Sequence, residues 1–198
     1  MVDPGQARAR PAPQPVMLPD PVPQHPLLAG RAEIGRGEYS IVLDHEDGER
    51  VYKIVSSPAD VFLLTAVDRP RGIHFPLVFA DHGVIGRASS GFPLHLLEME
   101  RLYPLRGDTP AASLAGRLTG LYRAACMQRS ELGADMGRLA LYHLAIEESQ
   151  LVPSLTQALK TLSDFVEAYG VLPDLLNRDN LMMRNDGTLV FSDPVFIA

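Results

Sequence analysis

The hydrophobic pattern changes period once, near residue 105, and that change limits the folds open to this chain. Before it, short apolar runs alternate with turn residues. Glu33-Ile-Gly-Arg-Gly-Glu-Tyr-Ser-Ile-Val-Leu43 and Arg50-Val-Tyr-Lys-Ile-Val55 flank Asp47-Gly48, a dipeptide that closes tight hairpins. Residues 59–67 predict a short helix, and 75–86 with 94–102 predict a second strand pair joined by a Gly/Ser-rich loop. After the change the spacing is helical. Leu114, Leu118, Leu121 and Ala125 share one face; Met136, Leu139, Tyr142 and Ile146 share another. Leu155, Leu159, Leu162, Val166 and Tyr169 form a third stripe, with Pro153 and Ser154 at its start and Gly170 past its end. A last strand, Thr188-Leu-Val-Phe-Ser192, follows a loop rich in Asp and Asn. A strand-rich first half and a helical second half predict an α+β protein.

Composition narrows the function classes. A net charge of −6 argues against a nucleic-acid surface, because neutralising phosphates calls for a basic face. No run approaches the roughly 18 apolar residues of a membrane span. One cysteine, Cys126, excludes an internal disulfide and a zinc–cysteine cluster. Residues 1–27 carry eight of the seventeen prolines, which predicts a disordered arm that cannot join a sheet. Its functional readings are an export signal or a docking ligand for a partner.

Lysine is nearly absent: the 18 basic residues are sixteen Arg plus Lys53 and Lys160. Lys53 nevertheless sits inside the apolar strand Val51-Tyr-Lys-Ile-Val55. Just upstream, Gly35-Arg-Gly37-Glu-Tyr-Ser40-Ile-Val42 places glycines near a turn, where a missing Cβ lets backbone approach phosphate oxygens. Near the other end, Asp174 precedes Asn180 by six residues and Asn180 precedes Asp193 by thirteen. Asn and Asp are hard oxygen donors of the kind Mg2+ takes, one or two at a time, beside phosphate and water. Each motif has a bland alternative: a plain hairpin, an edge lysine, a polar loop. Their order along one chain is what makes a joint signal.

In that order the motifs resemble the protein-kinase-like superfamily, and most closely its minimal bacterial and phage members, including small effectors injected by plant-associated bacteria. The resemblance runs over residues 30–198 and is carried by four short blocks: the glycine segment, the Lys53 strand, Glu98-Met-Glu-Arg-Leu102, and the Asp174–Asp193 region. It implies a minimal two-lobed fold, with a β-rich N-lobe over 28–103 and a truncated helical C-lobe over 104–198. It also implies an ATP- and Mg2+-dependent phosphotransferase acting on a hydroxyl of a protein substrate. Gly35, Gly37, Ser40 and Val42 would cover the nucleotide and Lys53 would hold its phosphates. Glu100 and Leu102 would meet adenine through main-chain groups, with Met99 behind them. Asn180 and Asp193 would be the metal ligands and Asp174 the catalytic base. The expected setting is a monomer in the cytoplasm of the producing cell, with secretion into a host cell as an extension.

The chain departs from the family pattern at identifiable places. Ser40 replaces the third glycine, and Leu175 occupies the position five before Asn180, where the motif has Asp. Leu172-Pro173 stands for His-Arg, and Asp193-Pro-Val195 for Asp-Phe-Gly. Residues 54–75 hold no Glu to pair with Lys53, only Asp60 and Asp68; Asp60, on the short helix, is the candidate stand-in. The expected absence of an activation loop implies constitutive or partner-controlled activity. These departures keep two alternatives open: a catalytically impaired pseudokinase binding module, and a small-molecule kinase.

Overall fold

The computed structural model describes residue 18 and residues 22–147 and 151–197. It is a mixed α+β structure whose largest sheet has five antiparallel strands in the order β1-β2-β3-β5-β4. These are β1 (Glu33–Arg36), β2 (Ser40–Asp44), β3 (Arg50–Val55), β4 (Val78–Arg87) and β5 (Pro93–Glu100). The central position of β3 explains its sequence. Flanked by β2 and β5, it is buried on both faces, so its residues are apolar almost without a break. Tyr52 and Ile54 join Ile41, Leu43, Leu94 and Leu96 on one face; Val51 and Val55 join Leu97 and Met99 on the other. Strand alternation puts Lys53 on the Val51/Val55 face.

The first of these faces is covered by the chain that leads into the sheet. A 3-10 turn at Pro26–Leu28 buries Leu28 there, and Leu18, Val22 and Leu27 pack beside it. The ordered N-terminal segment therefore begins before residue 28. For residues 1–17 and 19–21 the expected disordered arm lies outside the described residues. The second face is covered by α1 (Pro58–Thr65), which starts with Pro58 in its first turn and with Ser57 accepting from the Asp60 N–H at 3.4 Å. Leu64 of α1 joins the sheet core, while Ala59 and Leu63 join the helical core. The short helix is thus wedged between two hydrophobic clusters.

The second half holds α2 (Pro110–Met127), α3 (Met136–Ile146) and α4 (Pro153–Tyr169). Thr109 caps α2 by accepting from the Ala112 N–H at 3.2 Å, and α4 ends at Gly170, whose φ of 64° suits glycine. The α2 and α4 stripes are buried or half-buried as expected, but of the α3 stripe only Met136 packs against the core. Leu139, Tyr142 and Ile146 are exposed, and the core is met by Ala140, Leu141, Leu144 and Ala145. Apolar residues on both sides of a helix leave its inward face undefined by period alone, and packing against α2 and α4 decides it. No helix among the described residues is long and apolar enough to cross a membrane.

Five short strands and one loop join the halves. β6 (Tyr103–Pro104) pairs with β8 (Leu181–Met183), β8 with β9 (Leu189–Phe191), and β7 (Leu172–Pro173) with β10 (Val195–Phe196). The loop between α1 and β4 is stitched to this C-terminal hairpin. The His74 ring contacts the Leu189 carbonyl at 2.7 Å and the Ser154 hydroxyl at 3.1 Å, while the Phe191 N–H donates to the His74 carbonyl at 2.9 Å. Arg184, at the hairpin turn, donates twice to the Glu100 carboxylate at 2.7 Å and also to the Ile73 and Phe75 carbonyls. Tyr169 at the end of α4 stacks on Phe165, packs on Phe62 of α1 and donates to the Asp68 carboxylate. These ties fix the Lys53 sheet against the Asp193 segment.

Candidate functional site

Asp174, Asn180 and Asp193 are brought together by backbone pairing that begins at β7 and β10. The Asp174 N–H donates to the Pro194 carbonyl at 2.7 Å, which extends the Leu172–Pro173 ladder and sets Asp174 beside Asp193. From the other side, the Asn180 carbonyl accepts from the Ser192 N–H at 2.9 Å and the Asp193 N–H at 3.4 Å. The loop in between is closed by Asn180, whose Nδ2 donates to the Asp174 carbonyl at 3.1 Å and to its carboxylate at 2.9 Å. The extra residue between Asp174 and Asn180 is absorbed by a 3-10 turn at Arg178–Asn180. Asn177 caps that turn, its side chain accepting from the Asp179 N–H. Because Nδ2 of Asn180 is engaged with Asp174, its Oδ1 is left with one long contact, 3.4 Å from Asn177 Nδ2.

Lys53 reaches the same region through Asp60. In the sheet register Lys53 lies opposite Val42 on one side and Leu97 on the other, and directly opposed residues share a face. Val42 packs in the cluster that includes Met99, so Val42, Lys53 and Met99 all belong to the α1 side of the sheet. Lys53 is 9% exposed and makes no ion pair within 4 Å among the described residues. Asp60, 2% exposed on α1, feels both the Lys53 charge and the Asp193 carboxyl.

Burial, and then the contact with Asp193, hold the Asp60 carboxyl well above the ordinary aspartate range; Lys53 pulls the other way without prevailing. A proton kept on Asp60 lets two acids meet in a hydrogen bond. Even so, Oδ1 of Asp60 and Oδ1 of Asp193 are buried with no donor from the protein. Buried acceptors without donors are uncommon, and a cluster of them beside a cationic side chain suits a bound cation or polar ligand. Asp193 Oδ1 and Asn180 Oδ1 are hard oxygen donors of the sort Mg2+ accepts, so the residues fit that ion chemically. Among the described residues no group of three or more His, Cys, Asp or Glu is placed to hold a metal. A Mg2+ carried by a nucleotide needs only one or two protein ligands.

The remaining expected residues are placed as follows. Gly35 pairs with Val42 in the β1–β2 ladder, and the Gly37 N–H donates to the Ser40 carbonyl at 2.8 Å across the turn. A Cβ at Gly35 would come no nearer than 3.8 Å to Val42, and one at Gly37 no nearer than 3.5 Å to the Ser40 hydroxyl. The fold itself does not require glycine at either position. Glu100 departs in part from expectation. Its carboxylate is committed to Arg184 and its N–H donates to the Leu77 carbonyl at 3.0 Å, so an adenine contact from Glu100 is limited to its carbonyl. Leu102 follows in the linker between β5 and β6. Two open clefts, of about 550 and 690 Å3, are lined by neither Lys53 nor Asp193.

Two contributors escape sequence reasoning. Asn177 organises the Asp174–Asn180 loop, and Arg184 ties that hairpin to Glu100. Only the Asn/Asp richness of the loop signals the first, and nothing local signals the second. No protein-family model and no curated protein matches this chain, so the functional reading rests on these residues and their geometry.

Proposed function

We propose that this protein is an ATP-dependent phosphotransferase with a minimal, two-lobed protein-kinase-like arrangement, transferring a phosphoryl group to a hydroxyl on a protein substrate. The observation that carries the proposal is the convergence, through Asp60, of Lys53 with the Asp174–Asn180–Asp193 cluster, which lies more than a hundred residues away in sequence. Lys53 would hold the nucleotide phosphates by charge, with Gly35, Gly37 and Ser40 admitting close backbone approach and Val42 and Met99 flanking the base. Leu102 and the Glu100 carbonyl would meet the adenine edge. Asn180 and Asp193 would hold Mg2+, which when bound neutralises charge on the phosphates. Asp174, held by Asn180 and the Asn177 N–H, would orient the acceptor hydroxyl and take its proton. Synthesis in the producing cell's cytoplasm and action inside a host cell belong to the same proposal.

Transfer from radiolabelled ATP to the protein itself or to a generic protein substrate tests the reading. Wild type should incorporate label, and Lys53→Ala and Asp193→Ala should each abolish it. Undiminished transfer in both variants would remove these residues from the mechanism. One observation favours a second reading, a nucleotide-binding module without transfer: Asp60 contacts Asp193 and forms no ion pair within 4 Å of Lys53. Nucleotide binding with no transfer across a broad substrate panel would select that reading.

A further inference from the structure

A cleft of about 690 Å3 opens on the outer side of the β5–β6 linker, and Val42, Lys53, Asp60, Asn180 and Asp193 are not in its lining. Its volume is in the range of ligand-binding clefts. One wall is apolar: Leu77 and Phe79 are about half exposed there, and Tyr103 adds an aromatic surface. Among the described residues β4 is an edge strand, so this wall is approached from solvent without displacing another strand.

The charges around the cleft do not cancel. Its three arginines are already engaged: Arg50 with Asp47 and Glu98, Arg101 with Asp44, and Arg184 with Glu100. Glu49 and Asp186 also line it, and neither forms an ion pair within 4 Å with a described residue. The Arg101 Nε–H, in contrast, is buried with no acceptor. Asp186 accepts from the Thr188 N–H at 2.9 Å, so what the cleft offers a partner is two carboxylates without an ion pair and an apolar wall.

We propose that this cleft docks a basic and aliphatic peptide segment of a protein partner. An aliphatic side chain would cover Leu77 and Phe79, and a Lys or Arg side chain would meet Glu49 and Asp186. A nucleic acid would bring phosphate against the two carboxylates that lack an ion pair, and a purely apolar ligand would bury both acids unpaired. The proposal does not draw on phosphotransfer, although the cleft shares Glu100 with the linker assigned to adenine.

The test is fluorescence anisotropy with a labelled Arg-Leu-Arg-Leu-Arg-Leu peptide and, for comparison, a Glu-Leu-Glu-Leu-Glu-Leu peptide. The basic peptide should bind in the micromolar range and the acidic one should not. Glu49→Lys combined with Asp186→Lys should weaken binding at least about tenfold. Leu77→Ser, at an exposed position just before β4, should also weaken it severalfold. Asp164→Lys with Glu167→Lys makes the same change in net charge on the exposed side of α4 and should leave affinity unchanged. Lack of binding to wild type, equal loss in the α4 variant, or full affinity in Leu77→Ser would each overturn the proposal.

Discussion

Replacing Asp193 with Asn should make the folded protein more stable while removing its proposed metal ligand. Asp60 and Asp193 meet at hydrogen-bonding separation in a buried setting. Two full negative charges about 4 Å apart, at an effective dielectric of about 20, repel by about 4 kcal/mol. The native chain relieves this by keeping a proton on Asp60, which itself becomes costly as the solution turns basic. An amide at 193 removes one charge and supplies a donor to Asp60, so only part of the repulsion is recovered, about 1–3 kcal/mol. For a chain of this length that corresponds to a rise of roughly 2–12 °C in Tm. Thermal melts should show the gain near about pH 8 and show it shrinking near about pH 5, where the shared proton is easily held. A lower Tm at the higher pH, or a gain independent of pH, would refute the Asp60–Asp193 argument.

Asp60→Asn mimics the protonated side chain and should flatten the pH dependence of stability. Because the folded carboxyl is raised, the native state holds a proton that the unfolded chain releases above about 3.8, so wild-type stability falls as pH rises through the folded value; urea midpoints across that window should show the slope in wild type and not in the variant. Arg184→Met should cost about 1–3 kcal/mol by leaving the half-buried Glu100 carboxylate with only the Leu77 N–H as partner, and Glu100→Met added to it should restore part of that loss. Gly37→Ala meets no atom closer than 3.5 Å, so stability should stay within about 0.5 kcal/mol while KM for ATP rises; a large loss of stability would mean the glycine serves the fold.

Much of this arrangement was legible because its signals are local. Apolar runs around Asp47-Gly48 marked the β2–β3 hairpin, and Pro153 and Gly170 marked both ends of α4. Lys53, in an otherwise apolar strand, was conspicuous for the same reason. The face of α3 was not legible, because apolar residues occupy both of its sides and only tertiary packing selects Leu141 and Leu144 over Leu139 and Tyr142. Asp60 could be weighed as a partner of Lys53, but its contact with Asp193 depends on how α1 is wedged between two cores. Arg184 was invisible because its four hydrogen bonds go to Glu100 and to a loop, all more than eighty residues upstream. The 3-10 turn that accommodates the long Asp174–Asn180 spacing is likewise set by Asn177, a residue outside the expected motif.

Calorimetric titration with ATP, with and without Mg2+, compares the two sides of the site directly. If the lysine side grips phosphate and the Asp193 side acts through the cation, Lys53→Met should weaken binding at least about tenfold in both conditions. Asp193→Asn should abolish the Mg2+-dependent gain while leaving metal-free binding close to wild type. Unchanged affinity in Lys53→Met, or a Mg2+ response that survives in Asp193→Asn, would contradict the claim that these segments converge on one nucleotide.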